Sequence, residues 1–332
     1  MRVLQGALEP RQRSGLEAAY EHFRLERRGY LVSPATLENY DYLLQRFLRW
    51  LASQWHEVRR FDDLKVAVVR AYRAELTVSK RRDGRPLAPH TILDTHRVLL
   101  TFFRWARAEG YSVDPRIIEL KRPRVPDKEP TVYHINQVQE ILAACNPRLP
   151  QEELAVRILV GSGIRESELC GLASVGPDGL ADLMLDSVER GRVELRIRWD
   201  AGAKGGKSRR VPITPKLAAA IKRYDGRHRA DTPQLALLIN ELGRPYGRFG
   251  IAAMMNRLQR RCGFRIHAHG FRHTFATVAT QLGWNFERLR AAMGHADYKV
   301  LQRYVRLATE RDLGPRRQWT DLIVANPAIG SL

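Results

Sequence analysis

The segment DPRIIELKRPRVPDKEPTVYHI, residues 114–135, carries four prolines in 22 positions. Each proline removes a backbone donor and pushes the residue before it out of the helical region, so no regular helix can cross this stretch. Apolar residues recur at helical spacing on both sides of it. A chain of 332 residues also exceeds what one core usually holds. The sequence therefore predicts two domains joined by a basic, proline-rich linker at 123–131.

On the N-terminal side, residues 1–30 read as a charged extension with some helical periodicity. SPATLENYDYLLQRFLRWLASQW then opens with Ser33 as an N-cap and Pro34 at the first helical position. Leu37, Tyr40, Leu44, Phe47, Leu48 and Leu51 mark its buried face. DDLKVAVVRAYRAELTV and HTILDTHRVLLTFFRWARAEG supply further helices, the second stopping at Gly110. SKRRDGRPLAPH between them is a basic loop. Residues 31–122 thus form an all-helical domain. Beyond the linker, residues 132–332 are helical again, except for GRVELRIRWD and SRRVPIT. These alternate and favour β-branched residues, so they predict two strands around the turn AGAKGGK, with lysines at the tip of a β-hairpin. The predicted fold class is mainly α, in two domains: one all-helical, the other mixed α/β with a small antiparallel sheet.

Lys and Arg outnumber Asp and Glu by 56 to 36, a net charge of +20. The excess lies in both halves: 25 basic against 17 acidic residues up to position 130, then 31 against 19. An arginine-rich surface suited to heat would give the same composition. A polyanionic partner explains it more directly, and double-stranded DNA is the default. Cys145, Cys170 and Cys262 are odd in number and widely spaced, which predicts a reduced, cytoplasmic protein without disulfides. No secretory apolar region opens the sequence, and no apolar run approaches the length of a membrane span.

HAHGFRHTFAT, residues 267–277, raises the question of chemistry. His267, His269 and His273 could chelate, but no Asp or Glu completes the set and Arg272 disfavours a second cation. No metal and no cofactor is expected. A phosphate suits the stretch better. Arg offers a planar fork of donors, and His269 and Arg272 are three apart on one helix face.

Three further stretches keep it company: GSGIRESELCGL with Arg165, AGAKGGKSRRVPI with Lys204, and MGHADYKVLQRYV with His295 and, nine residues later, Tyr304. Together with HGFRH they resemble the tyrosine recombinase (phage integrase) family of the Xer and lambda-integrase kind, over residues 131–310. The resemblance implies a SAM-like helical core-binding domain before a catalytic domain. It implies that Tyr304 attacks a DNA phosphodiester to give a 3′-phosphotyrosine and a free 5′-hydroxyl. Arg165 and Arg272 would clamp the non-bridging oxygens, and Lys204 would protonate the leaving 5′-oxygen. His269 would act as general base or phosphate ligand, and His295 would hydrogen-bond the phosphate. The covalent step conserves bond energy, so neither metal nor ATP is implied. A homotetramer on synapsed DNA follows, with accessory DNA-bending or directionality proteins as further partners.

Rivals stand beside these choices. Lys207 competes with Lys204, and register with RRVP favours Lys204. Tyr298 competes with Tyr304, and spacing favours Tyr304. Glu168 is expected to support Arg165. His267 and His273 read as supporting residues and Trp284 as core. The tail beyond Tyr304 is expected to pack on a neighbouring subunit. Two other functions use the same frame: a type IB topoisomerase that nicks and closes DNA, and a non-catalytic sequence-specific DNA-binding protein.

Overall fold

The computed structural model describes residues 15–30, 32–81, 83–126, 129–184, 193–200, 208–229, 232–294 and 298–325. Lys204, Lys207 and His295 lie outside the described residues, as do the side chain of Tyr298 and residues 1–14 of the N-terminal extension. The chain divides into two compact units, 1–128 and 129–332, so the division falls inside the proline-rich stretch.

The first unit is helical: α1 Leu16–Gly29, α2 Pro34–Gln54, α3 Val66–Val78, α4 Pro89–Ala108 and the single turn α5 Pro115–Ile118. α2 starts as its sequence predicts. Ser33 Oγ accepts the Thr36 amide at 3.3 Å and Pro34 occupies the first turn. Leu43, Leu44, Phe47 and Leu51 are buried; Leu37, Tyr40 and Leu48 flank them, half-buried. α4 ends at Gly110, whose φ of 84° suits only glycine without strain. α1 departs from expectation. Residues 16–29, read as part of a charged extension with some helical periodicity, do form a helix, but one that buries Leu16, Ala19, Tyr20 and Phe23 in the core of this unit. Arg24 and Tyr20 on α1 hydrogen-bond Asp41 of α2. Six of the fourteen residues of α1 are charged, and they hide its apolar stripe from a reading of composition.

The second unit contains α6 Ile135–Ala143, α7 Pro150–Ser162, α8 Glu166–Gly171, β1 Leu183–Met184, β2 Val193–Ile197, β3 Arg209–Ile213, α9 Pro215–Arg227, α10 Arg248–Cys262, α11 Ala268–Gln281, α12 Phe286–Met293, α13 Tyr298–Glu310 and the turn α14 Arg316–Trp319. β2 and β3 pair antiparallel from Val193–Ile213 to Ile197–Arg209, as the alternation predicts. The two-residue β1 completes a sheet of order β1-β2-β3. α7 and α11 pack together at the centre, and α13 also packs on α11. The two central helices are buried nearly all round; α7 is buried from Leu154 to Ser162 apart from Arg157. No helix among the described residues is long and apolar enough to cross a membrane.

Up to residue 325 the C-terminal tail packs on its own unit. Leu313, Trp319 and Ile323 join the core. The Leu313 carbonyl accepts the Ile135 amide at 3.0 Å, and Trp284 Nε1 donates to the Val324 carbonyl at 2.6 Å. Gly161 on α7 makes room for this, since a Cβ there would sit 2.8 Å from the Leu322 carbonyl oxygen. Trp284 is core, as its sequence context predicts.

Candidate active site

The site is built where α7 ends. Gly163 closes α7 with a φ of 62°, and a Cβ there would meet the Phe275 ring at 2.2 Å. Glycine alone allows this turn, which delivers Arg165 to the start of α8. Glu168, three residues on, accepts the Arg165 backbone amide at 2.7 Å and the Arg165 Nη1 at 2.7 Å. The same carboxylate receives two hydrogen bonds from Arg209 of β3, at 2.8 and 2.7 Å. Glu168 has no exposed surface. Burial pushes its carboxyl up, but the hydrogen bonds and charge of Arg209, with those of Arg165, prevail and hold it at about 2.

Arg272 enters from the first turn of α11 and is almost wholly buried. Its Nη1 donates to the Gly163 carbonyl at 2.7 Å and its Nη2 to the Met293 carbonyl at 2.6 Å. Arg165 Nη2 donates to the next carbonyl, Gly294, at 2.9 Å. Two guanidiniums therefore converge on consecutive carbonyls at the end of α12. Burial, and then the neighbouring Arg165 charge, bring Arg272 down to about 9, so it remains a cation at neutral pH. Arg209 joins this frame by donating Nε to the Ala292 carbonyl at 2.7 Å.

α13 contributes Tyr304, whose hydroxyl lies 2.9 Å from His273 Nδ1. Tyr304 is 2% exposed. Burial raises its phenol above the ordinary value, against the opposing pull of Arg272, Arg303 and Arg165. His273 is driven down to about 3 by burial, then by His269 and Arg303, so it is neutral at physiological pH. His269 stands edge-on to His273, ring centres 4.2 Å apart, with its own surface exposed. Its surroundings and the Arg272 charge hold it below the ordinary imidazole value. His267 acts on the backbone instead. Its Nδ1 accepts the Gly270 amide at 3.0 Å and caps α11.

The described site is a cluster of guanidiniums and imidazoles around a buried phenol. Guanidiniums in a desolvated setting stabilise added negative charge far better than they would in water.

The sequence model of the phage integrase family matches residues 132–311, more than half of the chain. The chain belongs to the phage integrase family of tyrosine recombinases. Tyrosine recombinase XerA of Thermococcus kodakarensis is 27% identical over 281 residues, covering 84% of this chain and 86% of the relative. Tyrosine recombinase XerC of Alcanivorax borkumensis is 26% identical over 295 residues, covering 86% and 87%. Two solved structures share the fold. A lambda integrase dimer bound to a COC' core site gives a TM-score of 0.65 at 13% identity, over 94% of this chain and 83% of that one. The Tn1549 transposon integrase in complex with circular intermediate DNA gives 0.65 at 20% identity, over 90% and 100%.

Within this tyrosine recombinase, Arg165, His269, Arg272 and Tyr304 come together in one cluster. Lys204 and His295 fall outside the described residues. Two participants escape the sequence. Arg209 sits in SRRVP, where it serves only to set the register of Lys204, and its buried partner is 41 residues away. His273 reads there as a supporting residue, and its contact with Tyr304 spans 31 residues through the packing of α13 on α11.

Proposed function

We propose that this tyrosine recombinase performs site-specific strand exchange on duplex DNA through a 3′-phosphotyrosine intermediate. The convergence of Arg165 and Arg272 on neighbouring carbonyls beside the Tyr304 hydroxyl carries this reading. The two guanidiniums bind the non-bridging oxygens of the scissile phosphate and stabilise the five-coordinate transition state. Tyr304 attacks phosphorus and displaces the 5′-oxygen, which takes its proton from Lys204. His269 receives the phenolic proton or holds the phosphate, and His295 adds a hydrogen bond. A phenol pushed above its ordinary value needs such help at neutral pH. The clamp on DNA draws on both units. In the first, Arg70, Arg73, Arg116, Lys121, Arg122 and Arg124 line an open cavity of about 700 Å³, and the last three lead into the linker. Two duplexes and four strands call for a homotetramer on DNA, and the DNA-bound dimer of lambda integrase agrees with assembly on the substrate.

The test uses a nicked suicide duplex bearing sites from DNA flanking the gene, without metal or ATP. A covalent adduct on a denaturing gel that disappears in Tyr304→Phe is expected. An adduct that persists in Tyr304→Phe would move the nucleophile to Tyr298. Specific binding without any adduct would favour a DNA-binding protein without chemistry, and relaxation without strand exchange a topoisomerase.

A further inference from the structure

His22 and Glu26 lie one turn apart on the same face of α1, and Glu109 is the residue that ends α4. One ligand atom from each lies within 4.8 Å of the other two, and all three residues are half-buried. We propose that these residues bind a first-row divalent cation, zinc before the others, that ties the start of the first unit to the end of its long fourth helix.

The donor set selects the ion. Two carboxylates and a neutral imidazole cancel a charge of two. An imidazole nitrogen is a poor ligand for calcium or magnesium and a good one for zinc. Zinc–ligand bonds of about 2.0–2.2 Å place tetrahedral donors about 3.4 Å apart, so the three side chains close on the ion with small rotations. Three protein ligands leave the fourth position to water.

The surroundings have the form of a ligand shell. Trp105 donates its indole N–H to Glu26 Oε2 at 2.5 Å, which fixes that carboxylate and leaves its second oxygen to bind. The Tyr111 hydroxyl meets His22 Nδ1 at 3.3 Å, and a proton held on Nδ1 in this contact would leave Nε2 bare to bind a metal. The Trp105 ring stands edge-on to the His22 ring, centroids 5.1 Å apart at 76°, and holds its plane. Orienting contacts of this kind to a ligating histidine and carboxylate govern metal affinity almost as strongly as the ligands do. The site belongs to the first unit and takes no part in the chemistry at Tyr304. Its effect is to staple α1, which its apolar stripe and Asp41 also anchor.

The full chain, stripped with a chelator and dialysed, is titrated with Zn²⁺ by calorimetry and with Co²⁺ by visible absorption. One equivalent of Zn²⁺ should bind, Co²⁺ should give the intense bands of a tetrahedral site, and the melting temperature should rise with Zn²⁺. Glu109→Gln and His22→Gln, both at half-buried positions, should keep their helical circular dichroism and each lose at least about tenfold in affinity. His269→Gln should bind as the parent does. No saturable uptake would overturn the site. So would unchanged affinity in Glu109→Gln and His22→Gln, or loss of binding in His269→Gln, which would place the ion among the histidines of α11.

Discussion

Glu168 occupies the point where the two arginines that frame the cluster need an anion most. It is fully buried and receives four hydrogen bonds, three from the Arg165 and Arg209 side chains and one from a backbone amide. Glu168→Gln keeps the shape and removes the charge, leaving two largely buried guanidiniums uncompensated. A loss of about 3–5 kcal/mol in stability is expected from urea unfolding. Its carboxyl is held at about 2, below its ordinary value of 4.5, so it stabilises the fold fully above pH 4.5. That contribution disappears as pH falls from 4.5 toward 2, and acid unfolding of Glu168→Gln should lack it. His273 acts over a different range. Held at about 3 against an ordinary 6.5, it resists the proton that the unfolded chain accepts. Stability from this source is complete above pH 6.5 and is lost as pH falls toward 3. His273→Asn, which keeps a polar atom near the Tyr304 hydroxyl, should flatten the pH dependence of the urea midpoint over that window. Of this coupling, only the support of Arg165 by Glu168 is legible in the sequence. Arg165, Arg272 and Tyr304 are legible there because each sits at a fixed offset from a local signature. Arg209 and His273 are not, because their partners arrive from distant strands and helices.

At the level of elements, legibility follows the locality of the cause. The start of α2 is set by Ser33 and Pro34 within four residues, and β2 and β3 by their own alternation, so all three are readable. α1 shows only some periodicity, because its burial depends on α2 and α4, and β1 is too short for any period to show. The turn at Gly163 is likewise local in φ but not in reason, since the Phe275 ring is what excludes a side chain. Gly163→Ala should therefore destabilise by more than about 2 kcal/mol, combining a left-handed backbone with a clash in a packed core. The tail behaves as a core element. Trp319→Ala should cost about 3–5 kcal/mol, and deleting residues 313–332 should lower the melting temperature of the isolated chain before any question of assembly arises. Truncated protein that melts like the parent would contradict the cis packing.

For the whole molecule, proline and charge are compositional, which is why a division into two units shows in the sequence. With the proposed function, the net charge of +20 predicts a strongly salt-dependent hold on DNA. A contact with six to ten phosphates should lose about 10³–10⁵ in affinity between roughly 50 and 200 mM salt. Filter binding on specific and unrelated duplexes should give nearly parallel salt dependence, with the sequence preference surviving as an offset. A flat salt response would mean that the basic cavity of the first unit and the arginines of the second contribute little to holding the duplex.

Gly161 gives the tail its seat by lacking a side chain, and that seat is a groove in the molecule's own core. Such an arrangement makes the protein divisible. A chain ending at residue 312 and a peptide of residues 313–325 are two fragments with matching surfaces, and mixing them should restore the melting temperature that truncation removes. The same seam tells an engineer where to attach a fluorophore or a purification handle: behind residue 325, where it leaves Trp319 and Ile323 in place.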